Sequence, residues 1–188
     1  MSKEPLDPQW DMVYQLALET ENKVPKRKPS RRWISRMLRA EHSPIRYFRV
    51  TYRWLGIPYW VSVHLVRHWL GIIHWIGSQR VDRTNIPRDD KPQNTPVNHR
   101  FVANAQSVIN ISRRRLCKLA SPETQATWKE ALQHIDPILR DACVPECIYR
   151  GWCYEPKGCG FSKTKKYEQD LAEYRKCTLP RRGKQHGK

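Results

Sequence analysis

One short stretch of this sequence alternates apolar and polar residues, whereas most of the chain has the spacing of helices. This stretch limits the possible folds more than any other feature. A period of two residues over positions 47–54 is typical of a half-buried β-strand, which Gly56 and Pro58 are expected to end. The face predicted to be buried carries Phe48, Val50, Tyr52 and Trp54, and the opposite face carries Tyr47, Arg49, Thr51 and Arg53.

Apolar residues elsewhere recur every three or four positions, which predicts helices. One of these predicted helices begins at residues 121–123. Ser121 is its expected N-cap, Pro122 occupies the first helical position, and Glu123 gives an acidic first turn. Residues 81–96 are rich in Asp, Arg, Asn and Pro and are predicted as a loop. The predicted helices cover residues 8–21, 33–40, 59–70, 102–119, 121–139 and 163–177. Helices combined with an antiparallel-type strand predict an α+β fold.

The length of 188 residues predicts one domain with its own core. A hydrophobic content of 39% with eight Trp excludes wholesale disorder. Within that domain we expect an N-terminal helix and basic linker over residues 1–40 and a core over residues 41–140. A cysteine-rich segment, a terminal helix and a basic tail follow over residues 141–188.

Positive charge is concentrated toward the ends of the chain. The formal net charge is +17, of which residues 22–54 carry +10 and residues 162–188 carry +6. Such a field attracts polyanions. The basic runs at 26–32 and 181–188 are therefore predicted to contact nucleic acid, with Trp33 as an aromatic neighbour, or else to form a solvated surface.

The first residues do not have the pattern of a secretory signal, because acidic residues and prolines stand where a basic and then an apolar region would be needed. We therefore expect an intracellular, cytoplasmic protein. The most apolar window, residues 54–77, contains Pro58 and Arg67. An arginine at the centre of a membrane helix costs about 2.5–3.5 kcal/mol, so no membrane span is predicted.

Three groups of short motifs follow one another between residues 41 and 140. The first comprises His42-Ser43-Pro44, Arg67-His68 and Ser78-Gln79-Arg80. The second is Arg88-Asp89-Asp90-Lys91-Pro92. The third runs from Asn104-Ala105-Gln106-Ser107 through Arg115 to Ala120-Ser121-Pro122-Glu123. In this order and at this spacing, the motifs resemble those of the flavin-dependent thymidylate synthases.

The resemblance implies an enzyme that methylates deoxyuridylate at the pyrimidine C5. Its one-carbon unit would come from methylenetetrahydrofolate and its hydride from reduced FAD, which NADPH recharges. Such a protein needs no nucleophile of its own, because it works by holding the phosphate, polarising the ring and positioning the flavin. The resemblance also implies a homotetramer with sites formed between subunits.

The resemblance gives individual residues roles. Arg115 is the predicted catalytic residue, because a guanidinium fork suits the paired acceptors of a uracil edge as negative charge develops. Arg113 and Arg114 cannot share its helix face and are predicted as surface or interface charges. The predicted substrate-binding residues are Ser78, Gln79, Arg80, Arg88 and Arg115. The predicted cofactor-binding residues are His42, Arg67, His68, Asn104 and Gln106.

Alternatives remain for several of these positions. Asn104 at a helix start is equally typical of a cap, and Arg80 and Arg88 are also explained as solvated charges. Trp69 and Gln106 stand where the family has arginines. The flavin half of the site is therefore altered, which leaves room for a variant reaction such as hydroxymethylation. Trp69, His74 and Trp75 either stack on a different ring or belong to the core.

Four cysteines fall within seventeen residues of one another. Zinc requires soft ligands brought together by tight turns, which Gly151, Pro156 and Gly158 permit. A structural zinc site, unligated thiols and a disulfide or redox role all remain open. The predicted metal ligands are Cys143, Cys147, Cys153 and Cys159.

Two further hypotheses belong to other functional classes. The chain is alternatively a non-catalytic, basic, zinc-containing module that binds nucleic acid on the same fold. A third hypothesis is that the chain is an inactive homologue with a structural or regulatory role.

Overall fold

The computed structural model describes residues 5–176. Its sheet contains the strands β1 Arg49–Pro58, β2 Ile72–Ile76 and β3 Pro96–Asn104. The helices are α1 Gln9–Glu19, α2 Arg31–Ala40, α3 Tyr59–Val66, α4 Val81–Thr84, α5 Ala105–Arg115, α6 Pro122–Gln133, α7 Pro137–Ala142, α8 Glu146–Arg150 and α9 Lys165–Lys176. Short 3-10 helices span Ser43–Tyr47, Arg88–Asp90 and Phe161–Lys163. The predicted α+β class is confirmed.

The three strands are antiparallel in the order β1-β3-β2. Phe101 of β3 is paired with Tyr52 on one side and His74 on the other. The pairing of β1 shifts register between Trp54 and Ile57, where Gly56 adopts a φ of +68°. A residue in that conformation is the usual device of a bulge, so Gly56 bends the strand instead of ending it.

The predicted alternation over residues 47–54 is confirmed. Phe48, Val50 and Trp54 are buried and Tyr52 packs against the same core, whereas the arginines between them are exposed. Along β3, Val97, His99, Phe101 and Ala103 alternate inward in the same way. One face of the sheet therefore meets the core while the other carries exposed residues.

The core joins all three predicted parts of the chain. Trp10 of α1 stacks on Phe48 at 4.1 Å between ring centroids, and Trp128 of α6 packs on Trp54 and Phe101. Cys143 and residues of α7 belong to the same hydrophobic cluster. The described residues therefore form one folding unit.

Several predicted boundaries are wrong. The helix at 59–70 ends at Val66, and β2 follows where no strand was predicted. The helix at 102–119 is α5 alone, because its first residues belong to β3. Pro137 separates α6 from α7, since its ring removes a backbone donor and Asp136 caps a new helix. The loop at 81–96 contains α4 and a 3-10 turn.

Other expectations concern the membrane and the basic tail. Within residues 5–176, none of the helices combines the length and the apolarity needed to cross a bilayer. The basic tail at 181–188 lies outside the described residues.

Candidate functional site

Arg115 lies at the end of α5 and contacts the C-terminal end of α3. Its Nε donates to His68 Nε2 at 2.9 Å, and its Nη2 donates to the carbonyl oxygen of His64 at 2.7 Å. Burial, followed by the nearby charge of Arg67, lowers the pKa of Arg115. A guanidinium has five N–H donors, so these two contacts fix its direction and leave three for a ligand.

Three histidines form a hydrogen-bonded relay behind Arg115. His74 Nε2 lies 2.8 Å from the carbonyl oxygen of His68, and His74 Nδ1 lies 2.8 Å from His99 Nε2. A carbonyl only accepts, so the proton of His74 is assigned to Nε2 and its Nδ1 accepts from His99. His99 Nδ1 then accepts from Ser62 Oγ at 3.0 Å. The relay therefore holds the backbone of His68, the residue whose ring accepts from Arg115.

The relay consists of neutral rings. Burial lowers the pKa of His99 to about 4, with a smaller contribution from His74. Burial, and then the charge of Arg115, lowers the pKa of His68 to about 4. Burial also lowers the pKa of His74. At neutral pH these side chains act as directional hydrogen-bonding groups rather than as cations.

The turn that carries His68 is fastened to the start of α5. Gly71 has a φ of +71°, and a Cβ there would overlap the side chains of Ser107 and Asn104. Ser107 Oγ donates to the carbonyl oxygen of Leu70 at 2.7 Å. Asn104 Oδ1 accepts from Ser107 N at 2.9 Å. The alternative interpretation of Asn104 as a helix cap is therefore confirmed.

Gln106 is engaged within the chain. Its Nε2 donates to Glu41 and, at 3.2 Å, to Asn110 Oδ1. Glu41 also forms an ion pair with Arg113, whose guanidinium lies 3.5 Å from the ring centroid of Tyr149. Arg113 is thus largely buried, so its interpretation as a surface charge is wrong. Arg114 is exposed and donates to the Tyr154 hydroxyl.

The five residues predicted to bind a cofactor are either exposed or already hydrogen-bonded within the described part of the chain. His42 is exposed beside an arginine-lined groove, and Arg67 is exposed at the end of α3. Asn104 and Gln106 are committed to internal hydrogen bonds, and Glu41 places a carboxylate beside Gln106. A flavin pyrophosphate would require free donors in place of that acid, so the residues as arranged do not fit this cofactor.

A second cluster of predicted site residues lines a cavity of about 490 Å³ at the other end of α3. Gln79, Arg80 and Arg88 all line it, and Lys91 adds a third cation. Lys91 Nζ donates to the backbone oxygen of Gln79 at 3.1 Å. Ser78 is exposed and is not among the residues that line the cavity, although its neighbours Gly77 and Gln79 are. Its Oγ accepts from Arg80 N at 3.2 Å. The cavity thus suits an anionic ligand.

The two arginines of this cavity differ in their partners. Arg80 forms two hydrogen bonds with Asp82, each 2.9 Å long, on an exposed surface. Exposed pairs of this kind contribute little to stability, so a phosphate can compete for Arg80. Arg88 forms no ion pair with another described residue. The guanidinium donors of Arg88 are therefore more available to a ligand than those of Arg80.

A basic groove of about 570 Å³ runs along α2. Four arginines line it, together with Trp33 and His42. Arg39 is held by the Ser35 hydroxyl and the backbone oxygen of Asp141 and lies over the Tyr174 ring. The lining arginines are Arg27, Arg32, Arg36 and Arg39.

Sequence reasoning missed two members of the relay and left open the placement of three residues with aromatic side chains. Ser62 and His99 are polar side chains at fully buried positions. The alternation along β3 would have identified His99 had that strand been recognised. Trp69 is 74% exposed and Trp75 is 52% exposed, so of the two interpretations left open for them the core is wrong. His74 is half-buried and belongs to the relay.

The cysteines do not form the predicted four-residue set. Cys143 is buried in the core, whereas Cys147, Cys153 and Cys159 line a cavity that also contains Cys117. Within residues 5–176, no group of three or more His, Cys, Asp or Glu side chains is already placed to hold a metal ion.

Comparison with known protein families and with curated proteins finds no match to this chain. The resemblance to flavin-dependent thymidylate synthases therefore rests on its short motifs alone.

Proposed function

We propose that the protein binds a pyrimidine deoxynucleotide and transfers a one-carbon unit to its ring, as the resemblance to flavin-dependent thymidylate synthases implies. One observation carries the proposal. Arg80 and Arg88, which belong to two separate motifs, line the same cavity of about 490 Å³. That volume is typical of small-molecule sites, and paired guanidinium groups suit a nucleotide phosphate.

Arg115 would stabilise the charge that develops on the pyrimidine. The neutral ring of His68 and the carbonyl oxygen of His64 orient its guanidinium before a ligand arrives. A donor fixed in advance loses no energy to reorganisation during the reaction, and such donors contribute about 2.7–4 kcal/mol. In this proposal Ser62, His74 and His99 are positioning residues, because they act through His68.

The altered residues on the flavin side of the proposed site affect which product the enzyme would form. Methylation with methylenetetrahydrofolate needs a hydride, which the family takes from FAD recharged by NADPH. Hydroxymethylation needs the same folate and water but no hydride. Because Gln106 and Asn104 are used internally, the arrangement in a single chain favours the reaction without a hydride. Analysis of the product separates the two reactions.

A second copy of the chain would complete the site. Arg115 contacts the C-terminal end of α3, whereas Tyr59, its first residue, lines the cavity with Arg88. The eight residues of α3 span about 12 Å. Arg115 and the cavity that contains Arg88 would thus each supply one part of a site shared between two chains. This separation supports a homo-oligomer, and the resemblance implies a tetramer.

Binding and turnover test the proposal separately. We expect Arg88→Ala to weaken deoxyuridylate binding about 10-fold to 150-fold in calorimetry, because a charge-assisted hydrogen bond is worth about 1.5–3 kcal/mol. The control is Arg83→Ala, which removes an exposed arginine that does not line the cavity. Arg115→Ala should lower turnover about 100-fold to 1,000-fold. Equal losses in Arg83→Ala and Arg88→Ala, or no nucleotide binding at all, would refute the proposal.

The groove along α2 supports a second candidate function, the binding of nucleic acid. Arginines beside Trp33 combine charge with a stacking surface for bases. Fluorescence anisotropy should show that affinity for a single-stranded oligonucleotide falls steeply with salt and is lost in Arg32→Glu/Arg36→Glu. Arg83→Glu is the charge-changing control outside the groove. Affinity that does not respond to salt would contradict this function.

A further inference from the structure

Four thiols line one small cavity between the end of α5 and the segment that follows α8. Cys117 lies just beyond α5, Cys147 lies in α8, and Cys153 and Cys159 lie in the irregular segment 151–160. All four line a cavity of about 130 Å³. Packing of α8 against α5 therefore brings Cys117 to cysteines at least thirty positions away in sequence.

The four thiols are open to an ion that enters the cavity. Cys117, Cys147 and Cys153 are half-buried, Cys159 is exposed, and each is a free thiol. Four free thiols around one cavity are a soft ligand set of the kind that zinc prefers.

Cys143 belongs to a different environment. It ends α7 inside the hydrophobic core, and burial raises its pKa to about 12. Its polar neighbours are Ser112 and the charged Arg113 and Asp141. A thiol in the core is costly to ionise, so Cys143 is poorly suited to bind metal.

The segment 151–160 has little structure of its own to hold it in place. It contains no helix or strand, and Trp152 within it is 58% exposed. A Cβ on Gly158 would lie 3.4 Å from Cys153 Sγ, so the backbone approaches this thiol closely. Short segments without a core of their own are commonly fastened by disulfides or metals.

We propose that Cys117, Cys147, Cys153 and Cys159 are the ligands of a structural zinc ion. Four thiolates suit tetrahedral zinc, and the site would join the end of α5 to the segment 151–160. The side chains are not already in ligand positions, so the segment 151–160 would close on the ion as it binds. The assignment replaces Cys143 with Cys117 and is independent of the proposed nucleotide chemistry.

Zinc content of the full-length chain, purified under reducing conditions, tests the assignment. We expect about one zinc per chain in the wild type and in Cys143→Ser, and loss of zinc in Cys117→Ser. The two substitutions remove the same thiol chemistry, so Cys143→Ser is the matched control. Cys117→His should retain zinc, because imidazole replaces one thiolate in many structural sites. That variant separates loss of a ligand from general misfolding.

Cobalt substitution gives a second measurement on the wild-type chain alone. A titration with Co²⁺ should reach its end point at one ion per chain, with the charge-transfer absorption of a four-thiolate tetrahedral site. Zinc lost from Cys143→Ser but kept in Cys117→Ser would overturn the assignment. A metal-free chain with every thiol reactive, a disulfide within the set, or a brown protein containing iron and sulfide would also overturn it.

Discussion

His99 makes the fold sensitive to pH. It is fully buried, and both ring nitrogens are used by uncharged partners, Ser62 and His74. Because its pKa falls from 6.5 to about 4 on folding, only the unfolded chain binds its proton between these values. The free energy of unfolding should therefore be highest above about pH 6.5 and decrease as the pH falls toward 4.

Urea unfolding at pH 7.5 and pH 5.0 measures this effect. His99 should lower the free energy of unfolding by about 1–2 kcal/mol at pH 5.0 relative to pH 7.5. His99→Gln should reduce that difference, because a glutamine side chain does not take up a proton in this pH range. A pH difference in His99→Gln as large as that of the wild type would contradict the role of His99.

Substitutions at Gly71 and Gly160 distinguish two costs of adding a side chain. One is the cost of a positive φ, and the other is the cost of overlap with neighbouring atoms. Both glycines have positive φ, at +71° and +79°. A Cβ at Gly71 would overlap Ser107 and Asn104, whereas a Cβ at Gly160 would meet nothing within 4 Å. Gly160→Ala should cost only the conformational penalty, about 1–2 kcal/mol.

Gly71→Ala should cost about 1–3 kcal/mol more than Gly160→Ala, because the overlap forces the turn away from α5. Urea unfolding at neutral pH gives both values. Equal losses in the two variants would show that the contact between Gly71 and α5 is loose.

At the scale of elements, one side chain fastens α7 and α1 together. Asp136 accepts from the backbone of Ile138 and Leu139 at 2.8 and 3.0 Å and from Trp10 Nε1 at 3.0 Å. Among residues 5–176, Ser30, the N-cap of α2, accepts from the backbone N of Trp33 alone, at 3.2 Å. The two caps therefore differ in whether they also join two helices.

Asp136→Ala should lower the free energy of unfolding by about 2–3 kcal/mol, because the cap is lost and the Trp10 donor loses its partner. Ser30→Ala should cost about 1 kcal/mol, the value of a simple cap. Thermal or urea unfolding measures both variants. A loss in Asp136→Ala no larger than in Ser30→Ala would show that the bond to Trp10 contributes nothing.

At the scale of the whole molecule, the separation of Arg88 and Arg115 predicts complementation between subunits. At a deoxyuridylate concentration below the Kd of Arg88→Ala, Arg88→Ala and Arg115→Ala should each have only a small fraction of the wild-type activity alone. When the two variants are coexpressed and mix at random, about one quarter of the shared sites should contain both native arginines. Thymidylate or hydroxymethyl product formation would then recover to about that fraction of the wild-type level.

Coexpression of Arg80→Ala with Arg88→Ala is the matched control, because both residues line the cavity of one chain. That pair should recover no activity beyond that of the single variants. If Arg88→Ala and Arg115→Ala assemble together without regaining activity, the site lies within one chain and the proposed sharing is wrong.

Some features could be predicted because they depend on neighbours in sequence. The inward face of β1 followed from alternation, and Ser121 was identified as a cap because its side chain acts within one turn. β3 was missed because its last residues also fit the helical period of α5. Asn104 ends the strand and caps the helix, so no loop marks the boundary.

The sequence by itself determined the α+β class, the buried face of β1 and the residue types available for anion binding. Only the tertiary structure decided that Ser62 and His99 stand behind Arg115, and that Cys117 rather than Cys143 joins the other thiols. Periodicity reports contacts between residues up to about four positions apart. Contacts between distant residues depend on how helices pack on the sheet, which no local pattern encodes.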